Sequence, residues 1–327
     1  MRTPKDRVRV GLVVAFANIS EGERHAAEVA WECAVACAGH WKPAFVAYGL
    51  DSVTERAREA DIVVYLGESS RFERVAGEAS RHVPVVFVKS TVERLLERPE
   101  GYAPRYRMCT GVNGIARALA SMAPPGPSVE WTTLPWPEDV VRWTHLDQAE
   151  ASYVQASVDA FREAAEARGI PWSAGLPPQG EPFSVFLTMH DPGAAILANT
   201  ALRLWSHCTV LAADGMVSTS APDGTPWPPR VLRVRHWVAS VESESNRAFR
   251  QQMRSDPIPD YDSAGMLFGT LYFLDHAFAA GASPCSLEEA GEQPGPLGTL
   301  RMTPSGKPDP ERVIVLAGEE AHVVEVV

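Results

Sequence analysis

Residues 61–90 read DIVVYLGESSRFERVAGEASRHVPVVFVKS. Two β-branched runs, over 61–68 and 83–90, flank a polar turn and an amphipathic segment that predicts a helix over 70–81. A short apolar run, a turn and an amphipathic segment in repetition are the signature of a parallel sheet covered by helices. The same rhythm extends towards the N-terminus. It predicts strands over 7–16 (RVRVGLVVAF) and 42–50 (KPAFVAYGL), with helices over 22–39 and 52–60. The helix over 22–39 places Ala26, Val29, Ala30, Cys33 and Cys37 at helical spacing, an apolar stripe suited to packing on the sheet. Its two cysteines are read as core.

The rhythm breaks at APPGPS (123–128) and then resumes. The second run predicts strands over 140–147, 183–190, 208–216 and 231–240, and helices over 153–169 and 193–205. The Pro/Gly-rich stretch SAPDGTPWPP is expected to form a surface loop. Beyond residue 240 come a helix over 242–254 and one over 262–281 that is apolar on nearly every side, which requires burial on nearly every side. The tail reads as short strands joined by turns.

Composition narrows the function. A chain of 327 residues has room for two domains. With 30 Lys and Arg against 41 Asp and Glu, its net charge of −11 repels phosphate backbones and anionic lipid, so no nucleic-acid partner is expected. Apolar stretches fall short of the ~18 residues that a membrane span requires. The opening MRTPKDRVRVGLVVAF is read as a first strand and not a signal peptide, and the five scattered cysteines do not suggest a disulfide framework, so the expected compartment is the cytoplasm. No histidine pair has metal-ligand spacing, and neither a GxGxxG fingerprint nor a P-loop occurs, so neither a metal nor a cofactor is expected. CTGVNGIARAL (109–119) is the nearest glycine-rich element before a helix, and its glycines suit close packing or an anion cradle.

Four passages resemble a known family in its own order: LGESSRFERVAGEASRHVPVVFVKST, YVQASVDAFREAAEARGIPW, SNRAFRQQMRSDPIPDYDSAGMLFGTLYFLDHAFAAGA and GPLGTLRMTPSGKP. They resemble the type I periplasmic binding proteins, especially the branch that binds leucine, isoleucine, valine and amides. The resemblance implies an α/β fold of two doubly wound parallel-sheet lobes joined by a multi-crossing hinge. One lobe takes residues 1–125 plus 240–327, and the other takes 126–239. The chain departs from the family in being shorter, in lacking an export signal and in carrying Glu68 where a Gly-Pro turn is common. These departures weigh against a transport role.

In an open parallel sheet, ligands bind outside the carboxyl ends of the strands, where loops and helix N-termini converge. That rule singles out the loops AFANISEG, GESS and KST. Ser69, Ser70, Ser90 and Thr91 in the last two are either N-caps or donors to a ligand carboxylate or amide. From the resemblance, Tyr153 covers the ligand from the second lobe, and Asp214 receives a ligand ammonium. Asp214 and Gly215 also fit a plain turn. Trp131, Trp136 and Trp143 suit an apolar wall or packing near the crossing. The expected function is non-catalytic binding of an amino acid, amide or short peptide, as a sensor or as an accessory that presents a peptide to biosynthetic enzymes. Two alternatives stand beside it. One is an enzyme of sugar or amino-acid metabolism using His190, Asp191 or Cys109; the other is a degenerate scaffold with a protein partner.

Overall fold

The computed structural model describes residues 7–16, 21–49, 56–67, 81–97, 99–144, 148–173, 175–177, 180–253 and 262–326. The expected helix over 70–81 and most of that over 52–60 lie outside them. Of the latter, a single 3-10 turn, Ala57–Glu59, is described. The chain divides into two compact units, Met1–Thr110 with His236–Glu311 and Gly111–Arg235 with Arg312–Val326.

The first unit is built on a parallel sheet of β1 (Val8–Ala15), β2 (Trp41–Tyr48), β3 (Ile62–Gly67), β4 (Val85–Phe87) and β5 (Arg105–Arg107), in the order β2-β1-β3-β4-β5. Strand alternation sends Val10, Leu12 and Val14 of β1 to one face and Val13 and Ala15 to the other. The first face packs against α1 (Glu21–Cys37). The same cluster takes in residues of two later helices, separated from α1 in sequence by Gly111–Arg235 of the second unit. A small antiparallel sheet of β11 (Gln293–Gly295), β12 (Gly298–Met302) and β13 (Pro308–Asp309) completes this unit.

The second unit repeats the plan with β6 (Ser128–Glu130), β7 (Trp172–Ser173), β8 (Phe183–Leu187), β9 (Cys208–Ala212) and β10 (Val231–Arg235), parallel in the order β7-β6-β8-β9-β10. In both units the first strand lies inside the second, which places a switch in winding direction beside it. Then β14 (Glu311–Ala317) pairs antiparallel with β10, and β15 (Glu320–Val326) forms the edge. The helices of this unit are α2 (Val112–Met122), α3 (Gln148–Ala167) and α4 (Gly193–Leu204). Those of the first unit after residue 240 are α5 (Glu244–Met253) and α6 (Asp262–Ala279). Helix α6 is buried on nearly every side, as its composition requires.

Two sequence readings change. The units divide after Thr110, Arg235 and Glu311 rather than at 125 and 239. The reason is packing: α2 buries Ile115, Ala116 and Leu119 in the second core, and β14 adds Val313 and Val315 to it. The expected strand over 140–147 is absent from its described part, where a helical turn (Glu138–Val141) runs into a 3-10 turn (Arg142–Thr144). Pro137 with Glu138 and Asp139 is a helix-start sequence, and two valines do not override it. The first strand of the unit is instead Ser128–Glu130, three residues long and hidden behind the prolines of 123–128.

Candidate functional site

In the second unit, the carboxyl ends of β8 and β9 bring a carboxylate and an aromatic ring together. The chain leaves β8 through Thr188, Met189, His190 and Asp191 into α4, and it leaves β9 through Ala213, Asp214 and Gly215. Tyr153, in the first turns of α3, donates its hydroxyl to Asp214 Oδ1. Its ring stacks on His190 with centroids 5.4 Å apart and planes at 21°. Burial raises the Tyr153 hydroxyl well above its ordinary value, and the Asp214 charge raises it further. The phenol therefore stays protonated and acts as a donor at neutral pH.

Gly215 makes this convergence possible. A Cβ there would lie 2.4 Å from the Met189 carbonyl oxygen and 3.1 Å from His190 Nδ1, so only glycine lets the β9 loop approach the end of β8 this closely. The amide of Asp191 donates to the Gly215 carbonyl at 3.1 Å. The Asp191 carboxylate accepts from the Ala195 amide at 3.1 Å, in the first turn of α4, and from the Ser218 amide at 2.6 Å. Arg233 donates to the Ser218 carbonyl, and Arg235 to the Val217 carbonyl at 3.1 Å. The loop after β9 is thus held by charged groups on both sides, which orients Asp214 by preorganised contacts.

In the first unit the Ser/Thr positions behave differently. Ser90 is buried, and its hydroxyl donates to the Gly67 carbonyl at 3.0 Å, tying the end of β4 to the end of β3. Thr91 is buried too, and its carbonyl accepts from Arg107 at 3.2 Å. The 3-10 turn that follows, Glu93–Leu96, begins after Val92 with no side-chain cap, so neither residue caps it. Ser69 and Ser70 lie outside the described residues. Cys109 is buried with its thiol directed at the Ser90 carbonyl, 3.5 Å away. Trp131 lies in the second core with its indole N–H donating to Thr188 at 3.3 Å, and Trp136 packs edge-on against Trp205 at 5.4 Å. Trp143 carries Arg142 over its ring at 5.3 Å.

Of the residues expected to bind ligand, the structure brings Tyr153 and Asp214 into contact. It adds His190, which the sequence assigns only to the enzyme alternative. Its position after the apolar run of β8 was the signal, since that is a strand's carboxyl end. Chemically, the set offers an oriented carboxylate beside an aromatic face and an exposed imidazole, which suits a cationic group on an apolar body. None of the five cysteines is in a disulfide, and among the described residues no group of three His, Cys, Asp or Glu is placed to hold a metal. No helix among the described residues is long and apolar enough to cross a membrane.

These sheets, repeated in two units with three passages of the chain between them, define the type I periplasmic binding protein fold, and solved structures match it along the whole chain. An ABC-transporter substrate-binding protein from Desulfitobacterium hafniense, in complex with Leu, matches at a TM-score of 0.66 and 15% identity over 97% of this chain and 100% of its own. A solute-binding protein of an ABC transporter from R. palustris, in complex with benzoate, matches at 0.65 and 14% over 98% and 96%. A type 1 periplasmic binding protein from Bordetella pertussis matches at 0.60 and 10% over 98% and 100%. No family model and no curated protein matches the chain.

Proposed function

We propose that this chain is a non-catalytic binding protein for a small molecule that carries an ammonium group on an apolar body, such as an amino acid or its amide. The observation that carries this reading is the half-buried Asp214 carboxylate at the end of β9, oriented by the Tyr153 hydroxyl and flanked by the ring pair of Tyr153 and His190. An ammonium is attracted to both the carboxylate and the aromatic face, whereas a ligand that is only an anion is repelled by Asp214. Among the ligands of the solved neighbours, leucine has the ammonium, whereas benzoate and its hydroxylated relatives lack it, so the reading favours the leucine-like chemistry. Two of the three groups that an enzyme would draw on are committed elsewhere: Asp191 holds the first turn of α4 and Ser218, and the Cys109 thiol faces a backbone carbonyl.

A thermal-shift panel tests this reading, pairing each amino acid and amide with its deamino analogue. At least one ammonium-bearing compound is expected to raise the melting temperature while its deamino partner does not. Stabilisation by carboxylate-only compounds to the same degree, or by no compound in the panel, would overturn it.

A further inference from the structure

Helix α1 carries Cys33 and Cys37 one turn apart, and the end of α5 meets Cys33 with Met253. The Cys33 and Met253 sulfurs are 3.7 Å apart. We propose that Cys33, Cys37 and Met253 form a binding site for a soft monovalent metal ion of the Cu(I) class, in the first unit and separate from the Asp214 site.

Two sulfur donors each ~2.3 Å from one ion, at trigonal to tetrahedral angles, lie about 3.8–4.0 Å apart, so the Cys33–Met253 pair is already near the required edge length. Residues four apart on a helix have Cβ atoms about 5–6 Å apart, beyond the ~3.5–4.5 Å that a disulfide spans, whereas an ion between the sulfurs bridges that gap. Cys33 and Cys37 are only partly buried, and Cys37 lines a cavity of about 180 Å³ with Trp41, Tyr272, Asp275 and His276, which gives an ion a route to Cys37. Met253 is 8% exposed and packs in the core cluster, so it is a ligand already in the interior rather than one recruited from solvent. Two thiolates and a thioether select the metal. The thioether is a poor donor for zinc or magnesium but a good one for Cu(I). Binding displaces one proton from each thiol and leaves copper in the +1 state, so no oxidant or reductant takes part.

The test is anaerobic titration of the reduced full chain with Cu(I) against a competing Cu(I) chelator, with thiolate-to-copper absorption in the ultraviolet as a second readout. The chain is expected to take up one Cu(I). Cys33→Ser and Cys37→Ser should each weaken uptake by about 100-fold, and Met253→Leu, a volume-conserving change, by about tenfold with the circular dichroism unaltered. Cys285→Ser removes the exposed cysteine and should leave uptake as in the parent. Parent-like uptake by Met253→Leu, loss of uptake in Cys285→Ser, or equal retention of Zn(II) would each overturn the assignment.

Discussion

Tyr153→Phe removes one hydroxyl and keeps the ring that stacks on His190, so it isolates the contact that orients Asp214. A hydrogen bond to a charged acceptor contributes about 1.5–3 kcal/mol. Asp214 is only half-buried, so water takes part of the vacated place and the expected loss is at or just below the lower end, about 1–1.5 kcal/mol. Urea unfolding at pH 7 should show this as a lower midpoint with an unchanged slope. The pH dependence gives a second, independent readout. The folded-state pKa of Tyr153 is raised above its unfolded value, by burial first and by Asp214 next. Its contribution is therefore fully present below about pH 10 and is lost as the pH rises through the folded value. Above pH 10 the parent should lose stability about 1.4 kcal/mol per pH unit faster than Tyr153→Phe, the linkage of one proton. Identical midpoints together with identical alkaline slopes would refute the contact and the orientation argument built on it.

Three other outcomes are expected. Gly265→Ala places a Cβ 2.0 Å from the Trp237 ring inside α6, and it should destabilise the first unit by about 1–3 kcal/mol in a melting experiment. Burial alone would raise the Glu93 carboxyl, but Arg107 and Lys307 outweigh it and hold the group below its usual range. Glu93 thus contributes stability above about pH 4.5 that is lost as the pH falls through the folded value. Arg107→Met, which removes pairs of 3.2 Å to Glu93 and 3.0 Å to Glu311, should cost about 3 kcal/mol at pH 7 by denaturant titration and progressively less below about pH 4.5. Ser90→Ala should lower stability by about 1–2 kcal/mol through the orphaned Gly67 carbonyl and leave ligand affinity intact; lost affinity at full stability would return Ser90 to the ligand.

Much of the fold could be read from local pattern because its strands are short β-branched runs buried on both faces. IVVYL and VVF are legible in isolation, and so is α6, which is apolar on nearly every side. What escaped was non-local. Ser128–Glu130 is too short to show a period, and it becomes a strand because β7 and β8 flank it. The last strands join the second unit through antiparallel pairing of β14 with β10, about which the tail's own residues are silent. The same limit governs the sites. Tyr153 and Asp214 lie 61 residues apart, and only the family resemblance, which assigns both to a ligand, links them in the sequence. Cys33 and Met253 lie 220 residues apart, and no spacing rule connects them.

The central claim is that Asp214 receives the ammonium of a small ligand, and calorimetric titration of Asp214→Asn beside the parent tests it most directly. The titrant is the ammonium-bearing compound that most stabilises the parent. Asparagine keeps an acceptor for the Tyr153 hydroxyl and removes only the charge, so the account predicts an intact fold and affinity weakened by roughly 10-fold or more, the worth of a charge-assisted hydrogen bond. Equal affinity in the two proteins, with the fold intact in both, would contradict it.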